Sequence, residues 1–399
     1  MTFAKRTAPY IRRKGANSKW MMIDVLIALL PIVIYSLVVY RLYALRSLLI
    51  AIGVMELCEF VGFMIKNRIP YDGEKHTFRE QWKHMMAEWD IKEVLVPLVS
   101  AVIFALISPV DTDPGYLYPW VLITGAVFGL VLGKIVFGGT GMNIFNPAAV
   151  GMVFDRICFG SHFITVDPFA SKASYAATGT FSAMADEVIT SPTPLSTTFF
   201  NPVYTTDSNG YLVSPTINLR GYSMLDLFLG KIPGLMGEVC KLLILVALVY
   251  LIVRHAIDWR IPLAYIGSLA VIMLFAGIVL QGAGYDVNAF RFVAYQILSG
   301  GLLFAAVFMA TDPVTSPMTA PGRVIYGIIL GSTTSLIRLF GAYSEGVAYS
   351  LLIANMLTPM IDYYKWSSCK WNWKKITIAA SILVVVILIT IWALSAEVY

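Results

Sequence analysis

Charge is scarce in this chain. Asp, Glu, Lys and Arg make up 13% of its 399 residues, about half the share of a soluble globular domain. With 58% hydrophobic residues and a mean hydropathy of +0.74, this excludes an ordinary water-soluble fold. Cysteine is sparse too. Cys58, Cys158, Cys240 and Cys369 stand alone with no CxxC pair, which excludes an iron–sulfur or zinc site built from neighbouring thiolates. The four histidines, His76, His84, His162 and His255, are scattered, and none falls clearly inside an apolar run. A haem-holding bundle is disfavoured on that ground. No glycine-rich nucleotide fingerprint is present either.

Apolar runs are what the sequence has in quantity. A helix needs about 20 such residues to cross a bilayer. The runs predict spans at 21–40, 45–65, 94–110, 119–137, 144–158, 235–253, 261–281, 290–309, 324–341, 344–361 and 376–396. The run at 144–158 is short and reads as a broken or re-entrant helix. The predicted fold class is an all-α polytopic membrane protein. The basic segment 1–20 precedes a long apolar run with no small-residue cleavage site, so the first helix is read as retained rather than as a signal peptide.

Lys and Arg between spans orient the set. They gather in 1–20, in 66–93 (Lys66, Arg68, Lys75, Arg79, Lys83, Lys92), at Arg254 and Arg260, and in 365–375. If every span crosses once, all four groups share one side, the cytoplasm. The loop 159–234 then faces outward, with only Lys172, Arg220 and Lys231. Arg41, Arg46 and Arg338 sit near outer ends and run against the rule. The net charge of +5 is thus mainly a topology signal, and nucleic acid is not an expected partner. In 66–93, Phe78, Trp82, Met85 and Trp89 recur at helical spacing between charges, which predicts an amphipathic helix in the interface.

Two segments echo each other. Pro119, Ile123, Gly125, Gly129 and Gly139 match Pro321, Ile325, Gly327, Gly331 and Gly341 at a constant offset of 202. Such duplication is common in transport folds, and five spans per half force the halves into opposite orientations. The expected architecture is therefore about ten helices in two inverted five-helix repeats, 21–158 and 235–364, with an added C-terminal helix within 365–399. Glycine and proline break the pattern at Phe137–Gly151, Ala310–Gly322 and Gly341–Gly346. Backbone freed there must be buried in protein or line a polar cavity.

Asp24, Glu56, Glu59, Lys134, Glu238, Lys241 and Arg291 fall in or beside spans. A charge in hydrocarbon costs several kcal/mol, so each is expected to face the interior and pair. Glu56 and Glu59, three residues apart, share a helix face and either bind a cation or close ion pairs. With Asp312 they are the candidates for an ion path.

The loop 159–234 is rich in Ser, Thr, Pro and Gly and contains "SPTPLSTT", Ser191–Thr198. The stretches "GGTGMNIFNPAAVGMVF", "GEVCKLLILVALVYLIVRHAIDWRIP", "FMATDPVTSPMTAPGRVIYGIILG" and "EGVAYSLLIANMLTPMIDYY" resemble, in order, the RnfD/NqrB family. The likeness runs from about residue 20 to 364. These are membrane subunits of the Rnf and sodium-pumping NADH:quinone oxidoreductase complexes.

The resemblance implies FMN joined through its phosphate to a threonine. The family's acceptor motif matches Asp186–Leu195, with Thr193 as the flavin-bearing residue ahead of Pro194 and Leu195, and with Asp186 and Ser191 beside it. Pro192 departs from the small residue usual before that threonine, and Asp186 lies seven rather than six residues upstream. Thr197 and Thr198 are fallback acceptors. Gly139, Gly141, Asn143 and Asn146 are candidates to hold a flavin through the first-half break. Because that break falls nearer the expected cytoplasmic face, it is equally a candidate for a second site, and some relatives hold riboflavin as well.

The short N-terminal segment and the Thr-Pro-Leu signature favour the Rnf type, in which ferredoxin oxidation drives NAD reduction and Na⁺ or H⁺ translocation. The implied partners are further complex subunits, including iron–sulfur subunits and a second covalent-flavin subunit, and a flavin transferase for maturation. The implied place is a bacterial or archaeal cytoplasmic membrane with the N-terminus inside. Two alternatives stand: an NqrB-like subunit, and a passive channel of the urea-channel type, which has no need of a flavin-bearing threonine.

Overall fold

The computed structural model describes residues 18–68, 77–89, 91–108, 119–160, 195, 223–232, 234–283, 285, 288–341, 345–363 and 370–398. Among these residues the structure is helical, with no strand. In chain order the helices are α1 (Ser18–Tyr40), α2 (Leu42–Lys66), α3 (Phe78–Glu88), α4 (Lys92–Ile107), α5 (Pro119–Leu130) and α6 (Pro147–Cys158). They continue with α7 (Met224–Leu229), α8 (Lys241–Val253), α9 (Arg260–Gly282), α10 (Ala289–Leu298), α11 (Leu302–Phe304), α12 (Ala320–Phe340), α13 (Val347–Ile361) and α14 (Trp373–Val398). Two π-helical turns, Val131–Ile135 and Ala305–Met309, extend α5 and α11.

Five helices, α1, α2, α9, α12 and α14, are long and apolar enough to cross a membrane. α10 and the α11 segment together pass the same test but are bent by 62°. The expected span 290–309 is thus a broken one, interrupted at Ser299-Gly300-Gly301. The helices over 93–107, 119–135, 241–253 and 347–361 are apolar but shorter. At 1.5 Å per residue, a 13-residue helix reaches roughly 20 Å of the 30 Å hydrocarbon layer. The chain is a multi-pass membrane protein in which several described apolar helices are shorter than a full crossing.

The segment expected as a helix from 235 is not helical until Lys241. Gly234 and Gly237 interrupt it, and donors from other elements take over the backbone. Tyr35 Oη donates to the Gly230 carbonyl (3.2 Å), Ser36 Oγ to Met236 (3.1 Å) and Tyr40 Oη to Gly234 (3.1 Å). The Gly237 N–H donates to the Leu106 carbonyl at the end of α4 (2.8 Å). Leu235, Met236 and Val239 are fully buried. A non-helical strand of backbone at membrane depth is tolerated in this way, with its polar groups satisfied inside the protein.

α3 forms as its aromatic spacing predicts. Thr77 and Glu80 close a capping box at its start. Trp82 and Trp89 lay their ring edges against Phe60 and Phe63 of α2.

The echoed glycines sit at close approaches but serve different neighbours. A Cβ on Gly129 would come within 2.6 Å of the Pro147 carbonyl of α6, whereas one on its echo Gly331 would meet Ser268 Oγ and the Tyr265 carbonyl of α9. α14 packs on α9 and α12.

Candidate functional site

Two polar clusters and two cavities stand out among the described residues. The first cluster joins α2 to the π-turn at 131–135. Glu59 is buried and pairs with Lys134 Nζ at 2.8 Å. Thr140 Oγ1 donates to Glu93 Oε2 (2.8 Å) and approaches Glu59 Oε1 (3.3 Å). Glu56, one turn earlier on α2, is half-buried. Buried Glu56 Oε1 and Glu59 Oε2 accept no hydrogen bond. Of the two roles expected for this pair, Glu59 closes an ion pair while Glu56 keeps an unused acceptor.

The break between α5 and α6 follows directly. Gly138, Gly139 and Gly141 all have positive φ, a conformation that needs glycine. The Gly138 carbonyl accepts from Lys66 Nζ at 2.6 Å. Asn146 is the N-cap of α6, and its Oδ1 accepts from Ala148 N (3.0 Å) and Ala149 N (3.4 Å). Its Nδ2 donates to the Met309 carbonyl (3.4 Å), tying the first break to the second π-turn. The second break begins there. Asp312 Oδ1 accepts from Val314 N (3.2 Å) and its Oδ2 accepts from Thr315 Oγ1 (3.3 Å).

Between the breaks lies a cavity of about 400 Å³, within the size range of small-ligand sites. Gly141, Asn143, Asn146, Thr311, Asp312 and Lys134 supply its polar lining, and α1, α4 and Phe308 its apolar walls. Gly139 turns away from it, toward Lys66 and Glu93.

The second cluster lies at the other end of α11. It gathers Glu238, Lys241, Arg156, Arg338, Glu345 and Gln296 around Gly300 and Gly301. Lys241 Nζ donates to the Gly300 carbonyl (2.6 Å) and, in a very short contact, to that of Glu238. Glu345 Oε1 accepts from the Gly301 N–H (2.8 Å), and its Oε2 accepts from Arg156 Nη2 (2.5 Å). Arg338 Nε donates to the Glu345 carbonyl (3.1 Å), and its Nη1 to the Gln296 carbonyl (2.6 Å) and Oε1 (3.3 Å). The carboxylates of Glu238 and Glu345 both close on Gly301: a Cβ placed there would meet Glu238 Oε1 and lie 2.8 Å from Glu345 Oε1. Arg338 Nη2 and Gln296 Nε2 are buried with no acceptor.

Leu195 of the hydroxyl-rich loop is buried against this second cluster. A Cβ placed on Gly300 would touch Leu195 Cδ1 and lie 3.3 Å from Arg338 Nη2. Thr193, Asp186 and Ser191 lie outside the described residues. Leu195 and the Asn143–Asn146 break are separated by segment 302–309, roughly 12 Å of helix rise.

Other expectations divide. Asp24 pairs with Arg254 Nε (3.1 Å) and accepts from Tyr250 Oη (3.1 Å), as expected of an in-span charge. Arg291 does not face the interior. It is exposed, because α10 starts only two residues earlier at the Asn288 cap. Asp155 on α6 was not singled out by the sequence, yet it is fully buried against Gly125 with neither oxygen bonded. Its only signal was a carboxylate inside an apolar run. Among the described residues no group of His, Cys, Asp and Glu is arranged to hold a metal ion.

Comparison with known proteins gives a consistent picture. Residues 4–370 match the NQR2, RnfD, RnfE family. The chain is 28% identical over 360 residues to a subunit of the Na⁺-translocating ferredoxin:NAD⁺ oxidoreductase complex of Acetobacterium woodii, covering 90% of this chain and 92% of that one. It is 27% identical over 375 residues to the proton-translocating counterpart of Clostridium ljungdahlii, covering 91% and 94%. To a subunit of the Na⁺-translocating NADH-quinone reductase of Chromohalobacter salexigens it is 34% identical over 270 residues, 67% of this chain but only 57% of that relative. With more than nine-tenths of its length matched, the chain belongs to the NQR2, RnfD, RnfE family.

Proposed function

We propose that this protein is the flavin-carrying electron-transfer subunit of an Rnf-type ion-translocating oxidoreductase complex. It resides in the cytoplasmic membrane with its N-terminus inside, and works only with partner subunits that bring and remove electrons. The Rnf type is favoured over the quinone reductase type because the likeness to the ferredoxin:NAD⁺ subunits spans about nine-tenths of both chains. The match to the quinone reductase relative covers little more than half of that relative.

The observation that carries the flavin reading is the burial of Leu195 against Gly300 and Arg338. Leu195 closes the Thr-Pro-Leu motif, so its burial on the helical body supports a role for that motif there. A phosphoester to Thr193 leaves the flavin ring free, and the flavin supplies transfer of electrons singly or in pairs. The protein's task is to hold the ester, position the ring and exclude water.

The cavity between the two breaks is a separate ligand site suited to a second, non-covalent flavin. Its apolar walls fit an aromatic ring system, while Asn143, Asn146 and Thr311 offer polar groups for the ring edge. Glu56 and Glu59, with their unused acceptors, and Asp312 at the cavity rim are the residues proposed for ion passage.

The inverted-repeat architecture is part of this reading. α1, α2, α4, α5 and α6 form one set, and α8, α9, α10–α11, α12 and α13 the other. In each set the second helix packs on the fourth and the fourth on the fifth.

The test is flavin fluorescence of the denatured protein in a gel, after expression with an active flavin transferase. Wild type should fluoresce and Thr193→Val should not. Fluorescence in both moves the ester to a neighbour such as Thr197 or Thr198. Absence from both, with the transferase active on another target, rejects the flavin reading and favours a passive channel.

A further inference from the structure

Lys134 is shared between the first cluster and the cavity between the breaks. It leaves the chain in the π-turn Val131–Ile135, and its side chain is 1% exposed. A π-turn inserted in a helix is frequently found at functional sites. On one side Lys134 Nζ meets Glu59 Oε1 at 2.8 Å. On the other, Lys134 lines the cavity of about 400 Å³. Glu59 lies behind it and lines the second cavity, of about 420 Å³, with Glu93, Lys66 and Gly138. The ion pair thus stands between the two.

An ammonium has three N–H donors and no acceptor. Beyond its ion pair with Glu59, Nζ completes no hydrogen bond within the protein. Leaving a charged donor buried without an acceptor is costly, so the spare donors mark where an acceptor of a ligand belongs. The other charged residues of the lining do not fill that role. Asp312 is engaged by Val314 N (3.2 Å) and Thr315 Oγ1 (3.3 Å), and Lys19 is a second cation. The rest of the lining is mostly apolar, with Val307 and Phe308 of the second π-turn and Val99 and Ile103 of α4. A planar ring with acceptors along one edge fits such walls.

We propose that Lys134 sets the reduction potential of a flavin held in this cavity, by donating to an acceptor on the ring edge and favouring the reduced ring over the oxidised one. The proposal rests on the non-covalent flavin reading above. Reduction adds two electrons from a reductant, with protons from water, and raises the electron density along the edge of nitrogen and oxygen atoms. A fixed positive charge beside that edge binds the electron-rich state more strongly, and shielding from water enlarges the difference. Glu59 is a positioning residue. It holds the Lys134 side chain and offsets part of its charge from outside the cavity.

The experiment uses the full chain in detergent, made without flavin transferase so that no covalent flavin is attached, with riboflavin as the probe. Its Kd is measured for the oxidised form and, anaerobically with dithionite, for the reduced form. Wild type should bind reduced riboflavin more tightly, by roughly tenfold or more. Lys134→Met combined with Glu59→Leu removes the charge without stranding Glu59, and should bind both forms with nearly equal affinity. Glu59→Gln should widen the wild-type ratio, because Lys134 loses its counter-charge. It also keeps the test available where the double variant does not fold. A purely structural role would weaken both forms alike and leave the ratio unchanged. Equal binding of the two forms by wild type, a wild-type ratio retained in the double variant, or a ratio that does not rise in Glu59→Gln overturns the assignment to Lys134 and leaves the flavin reading of the cavity intact. Binding of neither form by wild type overturns that reading itself, and is seen before any ratio is compared.

Discussion

The two buried clusters are opposites. Around Glu59 the unused groups are two acceptors, Glu56 Oε1 and Glu59 Oε2, and one donor, Lys134 Nζ, which meets Glu59 as an ion pair at 2.8 Å, with Glu93 nearby. Around Glu345 the unused groups are donors: Arg338 Nη2 and Gln296 Nε2, with cations in surplus. Both sit where glycines interrupt helices, and both are out of water. In a low dielectric a leftover donor or acceptor is costly, so its sign shows what the site is built to receive. The acidic cluster suits a cation and the basic one an anion. The cavity between the breaks adjoins the acidic cluster through Lys134 and Thr140.

Breaking the acidic cluster should have the largest effect. Lys134→Met strands Glu59, and removing one partner of a buried pair costs about 3–5 kcal/mol. The loss should appear in thermal unfolding, and Glu59→Leu added to Lys134→Met should restore most of it. If the double variant is no better than the single, the pair is not the unit described here.

On the basic side, Arg338→Gln should cost less, about 1–3 kcal/mol, because the hydrogen bonds to two carbonyls and to Gln296 Oε1 are lost but one orphan donor goes with them. Equal losses in the two clusters would erase the contrast. Asn146→Ala should be milder still, about 0.5–2 kcal/mol, the worth of an N-cap. It should also loosen binding in the cavity, since its link to the Met309 carbonyl is cut.

A third, rim-exposed cluster gives the control with the smallest effect. Asp258 accepts from Arg260 N (3.0 Å) and Nη1 (3.1 Å) and from Arg323 Nη1. Burial pushes its carboxyl up, but the Arg260 N–H and the two guanidiniums outweigh this and hold it below the usual carboxylate value. A lowered folded value means the stabilisation is present above about pH 4, the unfolded value, and is lost as pH falls through the folded one. Asp258→Asn should flatten that acid dependence by no more than about 1 kcal/mol. Added salt should weaken this cluster and leave the two buried ones unchanged.

Much of this was legible in the sequence, in specific places. Scarce charge and long apolar runs gave the helical membrane class, and aromatic spacing gave α3. Glycine and proline marked the breaks at 137–151 and 310–322, because backbone freed by those residues has few acceptable surroundings in a membrane. Arg338 counted against the positive-inside pattern in the sequence; its burial removes the exception, since it is spent on the Glu345 and Gln296 carbonyls inside the protein. What the sequence did not reveal were long-range meetings. Glu59 meets Lys134, Arg156 meets Glu345, and α1 hydroxyls hold the backbone at 230–236. These partners are 75 to about 200 residues apart, and no local periodicity encodes them. The start of α8 was missed for a related reason. The hydropathy of 235–240 fits a helix, while Gly234, Gly237 and donors elsewhere in the chain keep it open.

The most direct test of the central claim is tandem mass spectrometry of the peptide spanning Ser191–Thr198, from chain purified after expression with its flavin transferase. The account predicts FMN, less one water, as an adduct on Thr193. An unmodified peptide from flavin-competent cells, or an adduct confined to another segment of the chain, would contradict it.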